Sequence, residues 1–431
     1  MTTGRVFAIA APAMLANLTT PFLGIVATAA VGRLGEPHLL GGVAVASIIF
    51  DCVFWLFGFL RMGTVAFTAQ AVGAHDAVEI RATLARAVLI AAVIGLANIA
   101  VHVPLGSGLL ALMGGSDAVT GAAQTYFTIR IWSAPFVLAN YVMLGWLIGQ
   151  ARTPTALALQ VLINVTNMAL TAWLVLGADF GIAGAAIAAV MAEATGFAAG
   201  AIVAWRNLGG RIGVPAALLF DREKLFHMLA VNRDIMIRTA ALIAAFLFFT
   251  AQGARAGDDV LAANAVLNNF ILIGSFFLDG LATAAEQLCG RSVGARDKTG
   301  FLQAVRLVTA WGFVFGLAVT LILTLAGAPL IDLITTSPEV RSAARDFMWL
   351  AALAPVCGVM AYSYDGIYIG ATWTAAMRNL MIASFAIYLA VWWLLQPLGN
   401  NGLWAALLTF LIARGLLQAV RCPALMRATF R

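Results

Sequence analysis

Runs of about twenty apolar residues recur along this chain with almost no charge inside them, and that leaves few structures open to it. A helix of about 20 residues crosses the ~30 Å hydrocarbon core of a bilayer, and only helices and closed barrels satisfy every backbone polar group in lipid. Composition agrees, with 62% of residues apolar and 10% charged, against roughly 25% charged in soluble domains. Twelve runs stand out, at about 8–32, 39–63, 87–110, 124–149, 154–178, 180–205, 235–254, 260–290, 304–327, 345–371, 379–398 and 402–420. A β-barrel would show ten-residue alternating segments instead. An all-α integral membrane fold is expected, with short connectors and one longer linker at 206–234. The start of the chain has no cleavable signal pattern and suits an uncleaved first span.

The chain repeats itself about 220 residues on. Ala71-Val72-Gly73-Ala74-His75-Asp76 returns as Ser292-Val293-Gly294-Ala295-Arg296-Asp297, and Leu147-Ile148-Gly149 as Tyr368-Ile369-Gly370. Ala134-Pro135 returns as Ala354-Pro355, and Gly181-Ile182-Ala183-Gly184 as Gly399-Asn400-Asn401-Gly402. Conserved order and spacing mark a duplicated unit. The copies lie six spans apart, so both halves keep one orientation. The sequence therefore predicts two six-helix lobes, residues 1–215 and 216–431, related by a pseudo-two-fold axis along the membrane normal.

Basic residues set the orientation. With the N-terminus in the cytoplasm, that side receives Arg5, Arg81, Arg86, Arg152, Arg206, Arg211, Arg222, Lys224, Arg233, Arg291, Arg296, Lys298, Arg306, Arg378, Arg421, Arg427 and Arg431. The opposite side receives Arg33, Arg255, Arg341 and Arg345. Both termini are expected to be cytoplasmic. The net charge of +6 is explained by this asymmetry and by attraction to anionic lipid headgroups, so no nucleic-acid partner is implied. Cys52, Cys289, Cys357 and Cys422 have no ligand spacing, and the four histidines form no cluster. No metal site is expected. His102 is placed inside the third span, where a hydrogen bond within the bundle is the favoured role.

Collinear motifs then narrow the class. They are Ala11-Pro12, Thr28-Ala29-Ala30-Val31-Gly32-Arg33-Leu34-Gly35, Leu40-Gly41-Gly42-Val43-Ala44-Val45, and the segment from Phe59-Leu60-Arg61-Met62 to Thr68-Ala69-Gln70. In the second half Asn232-Arg233-Asp234-Ile235, Leu278-Asp279-Gly280 and Asp365-Gly366-Ile367-Tyr368-Ile369-Gly370-Ala371 continue the series. The set resembles the MATE (multidrug and toxic compound extrusion) transporters, and among them the DinF-like branch. The resemblance implies a twelve-helix exporter that exchanges H+ or Na+ for amphipathic organic molecules, with no other cofactor. Two positions depart from it. The branch usually carries an aspartate where this chain has Ala27, and another where it has Thr171. A chamber without these acids should favour neutral or weakly charged amphipathic substrates.

Ionisable groups inside spans are costly and functional by default. Five carboxylates qualify as candidates for proton or cation coupling: Asp51, Glu193, Asp279, Glu286 and Asp365. Burial disfavours the ionised form of a carboxylic acid, which lets such a group load a proton on one side and release it on the other. Asp279 and Glu286 are seven residues apart and share a helix face about 10 Å apart along the axis. Asp365 has Tyr362, Tyr364 and Tyr368 as sequence neighbours. Asp51 interrupts an apolar run; it either takes over the role vacated at Ala27 or pairs with Arg61. Each of the others is equally open to a packing role.

Candidates for the substrate cavity are Asn17, Thr28, Met62, Asn140, Tyr141, Asn164, Asn167, Thr171 and Tyr364. Asn164 and Asn167 share a face that Thr171 continues. Interhelical hydrogen bonds are the alternative for each. Pro135 and Pro355 suggest matched kinks in the two copies.

The sequence thus points to a monomeric, proton-coupled exporter in a bacterial inner membrane. Its rivals are an uncoupled or Na+-coupled facilitator and a flippase for lipid-linked precursors. A flippase would want a strongly cationic cavity, yet only Arg61, Arg130, Arg238 and Arg414 fall inside spans. A membrane enzyme would show paired acidic motifs or a His/Asp loop, and neither is present.

Overall fold

The computed structural model describes residues 2–210 and 213–430. Arg211 and Arg431, counted above with the basic side, lie outside the described residues. Every regular element among the described residues is helical. The first half contains α1 (Thr3–Gly32), α2 (Pro37–Leu56), α3 (Phe59–Gly73), α4 (Ala77–Ala100), α5 (His102–Met113), α6 (Asp117–Arg130), α7 (Ala134–Gly149), α8 (Thr153–Ala172) and α9 (Gly181–Asn207). A short α10 (Ala216–Leu219) follows, then α11 (Arg222–Arg255), α12 (Asp258–Gly294), α13 (Lys298–Ile334), α14 (Pro338–Gly370), α15 (Thr374–Leu395) and α16 (Asn400–Thr429). Twelve of the helical stretches described are long and apolar enough to cross a membrane. The second is α2 with α3, and the fourth is α6 with α7.

Helix starts follow local chemistry. Asp76 caps α4, its Oδ1 accepting from the backbone N–H of Val78 at 3.1 Å and Glu79 at 2.9 Å. Asp297 repeats the device at α13, accepting from Gly300 N–H at 2.8 Å. Such caps satisfy amides that a helix start leaves without partners. The turns ahead of them repeat as well. His75 and Arg296 have φ of 57° and 52°, and Ala151 and Thr372 have 60° and 56°. Side chains rarely occupy this left-handed region, so its return 221 residues on, as the alignment predicts, shows the duplication in the backbone.

The third span corrects the sequence expectation. Its helix is Ala77–Ala100, not 87–110, and a turn at Val101 separates it from α5. The apolar run continues through the turn, but Pro104 has no N–H to donate to the Ala100 carbonyl, so the ladder stops there. His102 consequently opens α5, its Nδ1 2.6 Å from the Ile99 carbonyl oxygen. The linker is also shorter than 206–234, because α9 runs to Asn207 and α11 begins at Arg222. The proline kinks are unequal: a 3-10 turn at Ile131–Ser133 breaks the helix just ahead of Pro135, whereas α14 runs without interruption through Pro355.

Two compact units form, one from Leu15–Val72 and Asp76–Leu229, the other from Met1–Met14, Gly73–His75 and Ala230–Arg431. Each contains the same glycine contact. In the first, a Cβ on Gly145 would overlap the Arg61 carbonyl oxygen, and one on Gly149 would stand 2.9 Å from that of Val65. In the second, Gly366 meets the carbonyl of Ala282, and Gly370 that of Glu286, just as closely. The four glycines form two small-xxx-small pairs that bring α7 onto α3 and α14 onto α12 at backbone distance.

In the first unit the linker is clamped. Buried Arg86 donates to the Leu218 carbonyl through Nε at 3.0 Å and Nη2 at 2.7 Å. Its Nη1 donates to Glu79 at 2.7 Å, and Glu79 also accepts from Lys224 Nζ at 2.6 Å. In the second unit Phe249, Tyr388, Trp404 and Phe410 are fully buried in one apolar cluster. Beside it Asn264 and Asn400 exchange two hydrogen bonds of 2.9 Å, and Trp404 Nε1 donates to Asn264 at 2.9 Å. Asn264 therefore serves packing.

Candidate functional site

In the first unit, polar side chains of α1, α7, α8 and α9 meet in pairs. Asn140 on α7 is buried, and its Nδ2 donates to the Glu193 carboxylate at 2.7 Å and to the Glu193 carbonyl at 2.9 Å. Gly196, one turn along α9, lies close by: a Cβ there would overlap the Ile163 side chain of α8 and stand 3.1 Å from Asn140 Nδ2. Asn164 on α8 donates to Thr19 Oγ1 on α1 at 2.7 Å and accepts from Gln160 at 3.0 Å. Thr171 is buried and donates to Asn167 Oδ1 at 3.3 Å.

Around Glu193 lies a charged group that the sequence did not assemble. Arg130, at the end of α6, donates to the Tyr126 hydroxyl at 3.0 Å and stands 4.8 Å over the ring of Phe50. Its guanidinium is within electrostatic reach of both Asp51 and Glu193. The cation that acts on Asp51, itself exposed, is thus Arg130, and among the described residues no ion pair joins Asp51 to Arg61, its expected alternative partner. Tyr141 closes the group, with Glu193, Arg61, Asp51 and Arg130 as electrostatic neighbours. Five ionisable side chains, from α2, α3, α6, α7 and α9, come within electrostatic reach of one another there. Ala27 is half-buried and Thr28 exposed on α1, while Asn17 and Met62 are half-buried.

The second unit centres on Asp365. It is buried, ion-paired to Arg238 of α11 and Arg414 of α16, and accepts from Gln418 Nε2 at 2.8 Å. Gln418 is itself anchored, its carbonyl accepting from Tyr368 at 2.7 Å. Arg414 also stands 5.6 Å over the ring of Tyr362, whose hydroxyl is 2.6 Å from Ser275 Oγ. Asp279, exposed on α12, acts on both arginines, and buried Glu286 acts on Arg238. Asp279, Glu286 and Asp365 therefore do share one charged network. Tyr364 sits elsewhere, beside Cys422, and Tyr362 is the tyrosine of the network.

Sequence reasoning noted Arg130, Arg238 and Arg414 as charges inside spans without assigning them to these groups. Their distance in sequence hid the partnership, since Arg414 is 49 residues from Asp365. The two units differ in kind. Asp365 is ion-paired to two arginines, whereas Glu193 has an amide donor and a cation only within electrostatic reach. No group of three His, Cys, Asp or Glu side chains that could hold a metal ion occurs among the described residues.

The MatE family model matches residues 12–173 and 214–394, one segment in each half and well over half of the chain. The chain belongs to the MatE family. Curated relatives agree: DNA damage-inducible protein F of Escherichia coli (strain K12) is 37% identical over 410 residues, 95% of this chain and 89% of the relative. Multidrug resistance protein PmpM of Pseudomonas aeruginosa is 24% identical over 446 residues, 98% of this chain and 91% of that one. Among solved structures, a MATE protein in the bent conformation superposes with a TM-score of 0.91 at 18% identity, covering 99% of this chain and 95% of that one. A MOP superfamily transporter from Pyrococcus furiosus gives a TM-score of 0.90 at 17% identity, covering 100% and 97%. The chain is accordingly a multi-pass membrane protein of the MatE family.

Proposed function

We propose that this MatE-family chain is a secondary active exporter in a bacterial inner membrane, with both termini cytoplasmic. It moves amphipathic organic molecules outward by alternating access, in exchange for protons. The observation that carries this reading is the Glu193 group. It is a carboxylate held by Asn140 inside a span, within electrostatic reach of Arg130 and Tyr141, which a second carboxylate, Asp51, also acts on. Coupling needs a group whose protonation and substrate occupancy exclude each other, and Glu193 with Asp51 is the pair in the first unit able to do this without Ala27 and Thr171. The substrate side is formed by Asn17, Thr28, Met62, Asn140, Tyr141, Asn164, Asn167 and Thr171, a lining of neutral groups that suits weakly charged substrates.

An uncoupled facilitator is the second reading, favoured by the missing acids at Ala27 and Thr171. Flux into proteoliposomes separates the two. With an imposed pH gradient the exporter accumulates substrate, and Glu193→Gln and Asp51→Asn abolish or weaken the pH dependence while substrate binding persists. Equal flux with and without pH, Na+ or electrical gradients would establish the facilitator. Undiminished pH-driven flux in both variants would remove these carboxylates from the mechanism.

A further inference from the structure

The duplicated motif ends α3 in one copy and α12 in the other, and within the second unit the two ends lie against each other. A Cβ on Gly73 would overlap the Arg291 carbonyl oxygen and stand 2.9 Å from the Ala295 nitrogen. Beside this contact opens a cavity of about 280 Å³ whose wall includes Arg5, His75, Arg291, Asp297, Gly300 and Gln303. One water needs roughly 10–15 Å³ by a comparable measure, so the space admits a much larger polar group.

The wall is cationic, and its cations are uncommitted. Among the described residues no ion pair involves Arg5, His75 or Arg291. The carboxylate in the wall, Asp297, is turned to the start of α13, where it accepts from Gly300 N–H at 2.8 Å. Two guanidiniums facing a roomy cavity match a phosphate, which each can hold through paired N–H donors. Depth selects the source. The 37 residues of α12 extend about 55 Å, against about 40–45 Å for a bilayer with its headgroups. Centred on the bilayer, α12 overhangs it by about 5–7 Å at each end, and Arg291, three residues and about 5 Å from the end of α12, then stands at headgroup level. The first copy has no such arginine, since Gln70 occupies the position matching Arg291.

We propose that this cavity binds the phosphate of an anionic phospholipid headgroup, with Arg5 and Arg291 as its ligands and His75 at its rim.

The test is native mass spectrometry of the full chain in detergent, titrated with phosphatidylglycerol, phosphatidylcholine or inorganic phosphate. The wild type should take up phosphatidylglycerol at concentrations at least about tenfold below phosphatidylcholine. The double variant Arg5→Gln/Arg291→Gln should weaken phosphatidylglycerol binding on the order of thirtyfold. Arg5→Lys/Arg291→Lys keeps the charge but not the paired donors and should retain more affinity than the glutamine variant and less than the wild type, whereas the charge-matched control Arg206→Gln/Arg222→Gln should bind as the wild type does. Melting temperatures of all variants guard against misfolding. Equal losses in the control, or retention in the glutamine variant, would overturn the site. Arginine-dependent uptake of inorganic phosphate at low millimolar concentration, without lipid preference, would support a phosphate site and overturn its lipid occupant. Binding rather than flux is measured, so a failure here leaves proton-coupled export standing.

Discussion

Replacing Asp365 with asparagine should be among the most damaging conservative substitutions in the second unit. The side chain keeps its size, but Arg238 and Arg414 lose their shared counter-ion while both remain buried. Breaking a buried ion pair from one side costs roughly 3–5 kcal/mol, because a desolvated charge is left behind. Asp279 and Glu286 still act on Arg238, which places the loss nearer about 3 kcal/mol. Arg414→Met should cost less, about 1–2 kcal/mol, since Asp365 retains Arg238 and the 2.8 Å bond from Gln418. The decisive comparison is Asp365→Asn/Arg414→Met, which removes the charge and one of the cations it balanced. Its loss should fall short of the sum of the single losses by on the order of 1–3 kcal/mol. The eleven tryptophans make intrinsic fluorescence the natural probe, with unfolding in detergent followed at one fixed scan rate. Wild-type stability in Asp365→Asn, or strict additivity in the double variant, would refute the account of Asp365 as a buried counter-ion.

Other consequences are simpler to read. Gly145→Ala and Gly366→Ala each push a methyl into a carbonyl oxygen and should lower the melting temperature to a similar extent. Gly108→Ala, which meets nothing within 4 Å, should be neutral or stabilise α5 by up to about 1 kcal/mol; equal effects at all three sites would contradict the contact. Glu79→Gln removes the negative charge shared by Arg86 and Lys224 and replaces one of the two accepting oxygens with an amide donor. Hydrogen exchange of the amides of 216–226 should then accelerate severalfold, whereas unchanged protection would mean that the linker is held otherwise.

The number and type of elements were legible because a membrane span needs a run of set length, and the twelve runs supply it. Ends were less legible because an apolar run and a helix stop for different reasons. At Val101 the run continues and the helix does not, and Pro104 was the available signal. Turn repetition was visible only as letters; that His75 and Arg296 share a left-handed backbone needs coordinates. Individual acids were easy to find, since charge inside a span stands out. Their partners were not, because Arg130 comes within electrostatic reach of Asp51, and Arg414 pairs with Asp365, only once helices pack side by side. An arginine near in sequence, such as Arg61, was the wrong guide to what faces Asp51.

The paired glycine contacts have a consequence for how such a protein changes over time. What Gly145 and Gly366 press against is main chain, supplied in one copy by Arg61 and in the other by Ala282. Gly149 and Gly370 lean in the same way on the carbonyls of Val65 and Glu286. Opposite each of these glycines the partner position offers its carbonyl, so the glycine contact itself does not depend on that position's side chain. An arginine and an alanine, or a valine and a glutamate, can stand opposite the matched glycines, although the Val65 and Glu286 side chains are buried and constrained by their other neighbours. Charges can be gained in one half and lost in the other without disturbing these glycine contacts. That freedom explains how two copies can keep one skeleton while only the first places an arginine, and only the second a glutamate, at these matched positions.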